Sequence, residues 1–314
     1  MGKRNIKTNK KRYKKNKTFK KYNTFKKNKT NKKFIKLNCS PKKTKKYTCY
    51  SDSDLHKLRD MWNARHPDRP IKTKNAKEIW INLKKYYATI CNKESCWVRQ
   101  MTKNTKLEKE LLEAFAPESP KEWKKNPNEW LSSIDILRVM GQYEKKYKCF
   151  DFLGPSPIDY DVHKLHNECV WDELCHFDLY KHIIKGHTKI GVIFNLDPHY
   201  KGGSHWVSLF INVKDKTIFF FDSTGEPIPQ QIQKFVNTVI EQGKKLSVPI
   251  NFKFDQNYPV EHQYGNTECG IYSIFFITHM LEDKINGHYL KTHILKDEYM
   301  EKFRHIFYNK NGDV

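Results

Sequence analysis

None of the first 46 residues carries a negative charge, yet this stretch holds 21 of the chain's 59 lysines and arginines. It is built from Lys pairs, Asn and Thr with scattered aromatics at Tyr13, Phe19, Tyr22, Phe25 and Phe34. Such a segment has no hydrophobic periodicity and cannot offset its ordering entropy by burial. A disordered basic arm is therefore expected over residues 1–48. Beyond residue 46, the remaining 38 basic residues face 35 acidic ones, so a chain with a net charge of +24 still contains an ordinary globular body. Several uses fit the arm: a solubilising or localising tail, a nuclear import signal, or attachment to nucleic acid by counterion release and base stacking.

Runs such as Ile218-Phe219-Phe220-Phe221 fall far short of the roughly 20 apolar residues that a bilayer demands, so no spanning helix is expected. The Lys/Asn/Thr-rich start has no apolar segment or small-residue cleavage site of a secretory signal. The cysteines at 39, 49, 91, 96, 149, 169, 175 and 269 are accordingly expected to be free thiols in a reducing compartment. Cys91-x4-Cys96 and the group His163, His166, Cys169, Cys175, His176 lack the paired CxxC spacing of known zinc sites, so neither metal nor cofactor is expected.

Residues 49–125 read as a small helical domain. Ser53 can cap a helix carrying Leu55, Leu58, Met61 and Trp62, and Asn75 a second carrying Ile79, Trp80, Leu83, Tyr86, Tyr87 and Ile90. A third amphipathic stretch covers 107–115. The aromatic stripes serve either as core or as a partner surface. From 126 to 314 the pattern changes. A helix with Ile134, Leu137, Met140 and Tyr143 inward is followed by another over 171–184, then by strand-like runs at 190–196, 205–213 and 217–221. Pro229 and Gly243 bracket a helix, 249–255 reads as a strand, and helices over 270–281 and 297–308 complete the chain. This order predicts an α+β domain with a mostly antiparallel sheet flanked by helices.

Three segments carry chemistry. Gly202-Gly203-Ser204-His205-Trp206 puts a histidine at the mouth of a strand, and Phe219-Phe220-Phe221-Asp222 ends the partner strand of the same hairpin with a carboxylate. Antiparallel pairing brings His205 and Asp222 together across the sheet edge, as a base and its orienter require. In Gln263-Tyr264-Gly265-Asn266-Thr267-Glu268-Cys269-Gly270, a polar loop runs into an apolar helix with the cysteine at its entrance. Unpaired backbone N–H groups at a helix start favour a nucleophilic thiolate. The Cys269 backbone N–H and the Gln263 side-chain amide can both serve a developing oxyanion. Gly270 permits close packing behind the sulfur, and Trp206 either shields the imidazole or packs in the core.

In order, spacing and flanking strand pattern, His205-Trp206, Asp222 and Gln263-x5-Cys269-Gly270 resemble the cysteine proteases of the adenovirus-protease and ubiquitin-like-protein-processing clan. The resemblance covers about 126–314, with Trp130-Leu131-Ser132 similar to the entry segment of that family. It implies a papain-like-clan core with His205, Asp222, Gln263 and Cys269 as its working residues. Phe152-Leu153-Gly154-Pro155-Ser156-Pro157-Ile158-Asp159 and the preceding helical domain most resemble the polyprotein-processing proteases of large cytoplasmic DNA viruses, the African swine fever virus type. Where that type has Asn as third member, this chain has Asp222, as deconjugases do. The resemblance implies cleavage of virion precursors after small residues such as Gly-Gly, in the virion or the host cytoplasm. Removal of a ubiquitin-like modifier is its alternative. An acyltransferase and a nucleic-acid-bound virion component acting through the arm are the further readings.

Overall fold

The structure, a computed structural model, describes residues 33–41, 45–102 and 105–314. Its first helices are α1 (Asp52–Arg65), α2 (Ala76–Tyr87), α3 (Glu94–Met101) and α4 (Lys106–Leu112). Asn75 caps α2 as expected, whereas α1 is capped by Ser51 rather than Ser53, in a reciprocal box with Asp54. Leu55, Leu58, Trp62, Ile79, Leu83, Trp97 and Phe115 form one apolar cluster. Part of the predicted arm joins it. Leu37 is buried there, Ser40 N–H donates to the Ala114 carbonyl, and Cys39 forms a bridge with Phe115. Disorder over 1–48 is thus corrected for residues 33–41 and 45–48, because a few apolar side chains near the end of the charge run find a core. The earlier part of the arm lies outside the described residues.

The rest of the chain runs α5 (Ser133–Lys146), β1 (Phe150–Pro157), α6 (Asp172–Cys175), α7 (Leu179–Ile184), β2 (Lys189–Asn195), β3 (Trp206–Asn212), β4 (Thr217–Phe221), α8 (Gln230–Lys244), β5 (Lys253–Gln256), α9 (Cys269–Leu281), α10 (Gly287–Thr292) and α11 (Asp297–Phe307). The five strands form one sheet in sequence order. β2, β3 and β4 pair antiparallel, but β1 with β2 and β4 with β5 are parallel. The sheet is mixed rather than mostly antiparallel, because both edge strands are joined to their neighbours through helical crossovers.

All of β3 is buried, and alternation decides which layer each residue feeds. Trp206 and Phe210 on β3, with Phe219 and Phe221 on β4, face the cluster built around α9. Val207, Leu209, Ile211, Ile218 and Phe220 face the cluster that includes Ile232, Phe235 and Val239 of α8. Each such side chain contributes about 1.5 to 3 kcal/mol by burial. That two-sided core fixes the hairpin.

Three further expectations are corrected. Helix α5 does not turn Ile134 and Leu137 inward: they are 60% and 44% exposed, while Ile136, Val139 and Met140 are buried. A capping box of Ser132 with Asp135 sets the start of that helix. The single helix expected over 171–184 is two, since Asp178 caps α7 after a break. Six of the eight cysteines are not free: Cys39–Cys49, Cys91–Cys96 and Cys169–Cys175 are disulfides, leaving Cys149 and Cys269 as thiols. Each bonded pair is only 10, 5 or 6 residues apart, so local folding brings the sulfurs together, a geometric effect that an argument from compartment does not contain. Among the described residues no helix is long and apolar enough to cross a membrane.

Candidate active site

The β3–β4 hairpin delivers its two polar residues side by side. His205 immediately precedes β3, Asp222 immediately follows β4, and His205 Nε2 lies 2.7 Å from Asp222 Oδ1. The carboxylate is buried, and its Oδ1 gathers three partners. Asp222 Oδ1 also accepts from Thr224 N–H at 2.9 Å and Thr224 Oγ1–H at 2.8 Å. Asn257 straddles the Asp222 backbone, accepting from its N–H and donating to its carbonyl. Burial pulls the imidazole of His205 down, but hydrogen bonds and charge from Asp222 and Cys269 outweigh it and hold its pKa at about 10. The influence of Cys269 on that pKa places its sulfur near the ring. With Nε2 committed to Asp222, Nδ1 is the nitrogen left for the sulfur.

Cys269 is the first residue of α9, whose remaining length is apolar and buried in the core. The helix packs against β3 because Gly270 has no side chain. A Cβ there would sit 3.1 Å from Leu131 Cβ and 3.3 Å from Trp206 Cδ1. Trp206 is a core residue whose indole N–H donates to the Leu131 carbonyl at 3.1 Å, tying the 130–133 segment to the strand.

Gln263 is buried beside the Asp222 turn. Its Oε1 accepts from Ser223 Oγ–H at 2.8 Å, its backbone N–H donates to the Ser223 carbonyl, and Nε2 donates to the Gly265 carbonyl at 2.9 Å. A primary amide has two hydrogens, so one remains for a substrate oxygen. The turn carrying Ser223 can approach this loop because Gly225 adopts φ +74°, and a Cβ on it would meet Glu261 N at 2.8 Å.

A scaffold absent from the sequence reading holds the loop from 262 to 268. Asp297, at the start of α11, accepts from the Tyr264 and Gly265 N–H groups and from the Tyr272 hydroxyl. Arg304 and Glu268 are each 3% exposed at their side chains and form a buried ion pair, with Arg304 Nε 2.8 Å from both carboxylate oxygens. The same guanidinium donates to the carbonyls of Thr267 and Glu129, each at 2.8 Å. It therefore clamps the residue before Cys269 to the segment leading into α5. His262, nearby, is pushed down to about 4 by burial and is neutral. The only local signals for this pair were a glutamate directly before Cys269 and an arginine among the apolar positions Met300, Phe303 and Phe307.

An open cleft of about 650 Å³ is lined in part by Trp130, Leu131, Pro157, Trp171, Gly202 and Trp206, while His205, Asp222, Gln263 and Cys269 do not line it. It ends next to His205 in the chain, with glycines forming part of its wall.

Residues 181–312 match the model of the Ulp1 protease family, C-terminal catalytic domain. A thiol protease of Acanthamoeba polyphaga mimivirus is 33% identical over 175 residues, which are 54% of this chain and 53% of that relative, so the match spans about half the relative's length. The SUMO-1 cysteine protease of African swine fever virus is 27% identical over 257 residues, 76% of this chain and 91% of the relative. A crystal structure of the African swine fever virus protease has the same fold, with a TM-score of 0.62 at 22% identity over 87% of this chain and 96% of that one. The segment matching the family model contains the hairpin, the polar loop and the head of α9, so the cysteine-protease geometry lies within the stretch that is similar to that family.

Proposed function

We propose that the protein is a viral cysteine endopeptidase that cleaves virion precursor proteins after small residues during particle maturation. The observation that carries this reading is the 2.7 Å bond between His205 and Asp222, with Cys269 near enough to the same imidazole to help raise its pKa. In the mechanism His205 already holds, as the imidazolium its pKa of about 10 implies, the proton taken from the Cys269 thiol, and Asp222 holds the ring and stabilises that cation. The sulfur attacks the scissile carbonyl. The free hydrogen of the Gln263 amide and the Cys269 backbone N–H receive the oxyanion. His205 then protonates the leaving amine, and water hydrolyses the thioester.

Small residues suit a cleft lined in part by Gly202, Gly203 and Trp206. Virus-infected cytoplasm and the particle itself are the proposed locations, in keeping with the viral relatives. Attachment of the basic arm to nucleic acid belongs to the same reading. It requires that deleting residues 1–32 abolish salt-sensitive DNA binding.

A second reading, removal of a ubiquitin-like modifier, is favoured by the name of the African swine fever virus relative, a SUMO-1 cysteine protease. The chemistry is shared, and only the acyl donor differs. Co-expression with a virion precursor, followed by sequencing of new N-termini, tests the first reading: cleavage after Gly-Gly-like sites that Cys269→Ala abolishes supports it. Labelling of Cys269 by a SUMO vinyl-sulfone, with the precursor left intact, would replace it by the second.

A further inference from the structure

On the far end of β1 and β2 from the cleft, three side chains converge that the protease chemistry does not use. Asp151 lies on β1, His182 on α7, and His187 in the turn between α7 and β2. Gly186, at φ +84°, ends α7 and folds the chain back so that the His187 N–H donates to the His182 carbonyl at 3.0 Å. Both imidazoles then present Nδ1 to the same carboxylate oxygen: His187 at 3.0 Å and His182 at 2.7 Å from Asp151 Oδ2. His182 is held in place by stacking on Phe177, with ring centroids 4.9 Å apart.

The two contacts differ. His187 makes a hydrogen bond to Asp151, but His182 Nδ1, although buried and closer, makes none. The contact of His182 with Asp151 is a close ion pair; burial pushes the Asp151 carboxyl up, but the charge of the two imidazoles outweighs it and holds the carboxyl below its usual range. Two ligands about 2.0 to 2.2 Å from a tetrahedral zinc lie roughly 3.3 Å from each other, so the imidazoles would have to draw back from the carboxylate by only a fraction of an ångström to admit one. The three donor atoms all fall within 4.8 Å of one another.

We propose that Asp151, His182 and His187 form a binding site for a divalent transition metal, zinc by donor type, with water in the fourth position. Two imidazoles and one carboxylate are a borderline-soft donor set of the kind zinc takes. The side chains are 14%, 25% and 22% exposed for His182, His187 and Asp151, which leaves a path for ion and water. The metal would bind the edge strand to the helix and turn that precede β2, a structural clip remote from Cys269. A second cluster, His163, Cys169 and Cys175, is less suited, because its two sulfurs are bonded to each other.

The test uses the full chain as Cys269→Ala, so that the active-site thiol cannot take up metal, stripped with chelator and titrated with Co²⁺. Uptake of about one cobalt per chain is expected, with the visible bands of a nitrogen and oxygen site and no sulfur-to-cobalt charge transfer. His182→Ala and Asp151→Asn should each lose that uptake. A zinc-dependent rise in melting temperature, reversed by EDTA and equal with and without the added Cys169→Ser/Cys175→Ser changes, provides a readout independent of whether the site variants fold. The absence of saturable cobalt uptake, a sulfur charge-transfer band, unchanged uptake in His182→Ala, or a zinc shift that vanishes with the two cysteines would each overturn the proposal.

Discussion

The two halves of the active site are held in place by different physics. His205 and Asp222 flank a hairpin whose five paired positions, Ser208 to Asn212 against Thr217 to Phe221, are locked by apolar side chains on both faces. Gln263 and Glu268 lie on a loop with no ladder, kept in shape by Asp297, Tyr272 and Arg304 from elsewhere in the chain. The hairpin half shares its stability among many contacts. The loop half depends on a few buried polar groups, each of which leaves an unsatisfied partner when removed.

That contrast can be broken or sharpened by substitution. Cys269→Ala removes the nucleophile common to both halves, and peptide cleavage should fall by on the order of a millionfold, measured against a fold judged intact by circular dichroism. Arg304→Met strips the loop half of its clamp and leaves Glu268 buried and unpaired. Denaturant unfolding should register a loss of about 3 to 5 kcal/mol, together with a lower kcat. A variant that lost stability but kept kcat would show that the loop holds its geometry without the clamp. Gln263→Ala should lower kcat by about 100- to 1000-fold, because it removes one oxyanion donor, and should cost about 1 to 3 kcal/mol of stability, because Ser223 Oγ and the Gly265 carbonyl lose their partner.

On the hairpin side, Trp206→Phe deletes a single hydrogen bond to the Leu131 carbonyl and should cost only about 1 kcal/mol in the same unfolding experiment. Protonation gives the subtlest comparison. His205 is held at about 10 when folded, against about 6.5 in an unfolded chain, so the folded state binds more protons between those values. The stability it contributes is fully present below about 6.5 and is lost as pH rises through 10. His262, at about 4, behaves oppositely: its contribution is present above about 6.5 and is lost as pH falls toward 4. Melting temperature should therefore fall on both flanks, and Asp222→Asn should flatten the alkaline one.

What sequence alone could reveal follows the same division. The hairpin and the apolar helix behind Cys269 announce themselves through local patterns, so the β4 boundaries match and His205 and Asp222 are read as neighbours before any coordinates. β1 was not anticipated, since Gly154, Pro155 and Pro157 interrupt the strand pattern. The inward face of α5 was misread because Ile134 and Leu137 are as apolar as the residues that are buried. The pairing of Glu268 with Arg304 joins residues 36 apart that carry no local signature of meeting. Likewise, nothing in the spacing of Asp151, His182 and His187 indicates that a tight turn will converge them.

Because ribosomes deliver a chain in order, the reliance of the nucleophile's loop on α11 has a temporal consequence. The sulfur, the imidazole and the carboxylate all emerge before the aspartate and arginine that give the loop its shape. A nascent polypeptide would hold the reacting groups without the frame that aligns them, and the protease would become competent only after position 304 has left the exit tunnel.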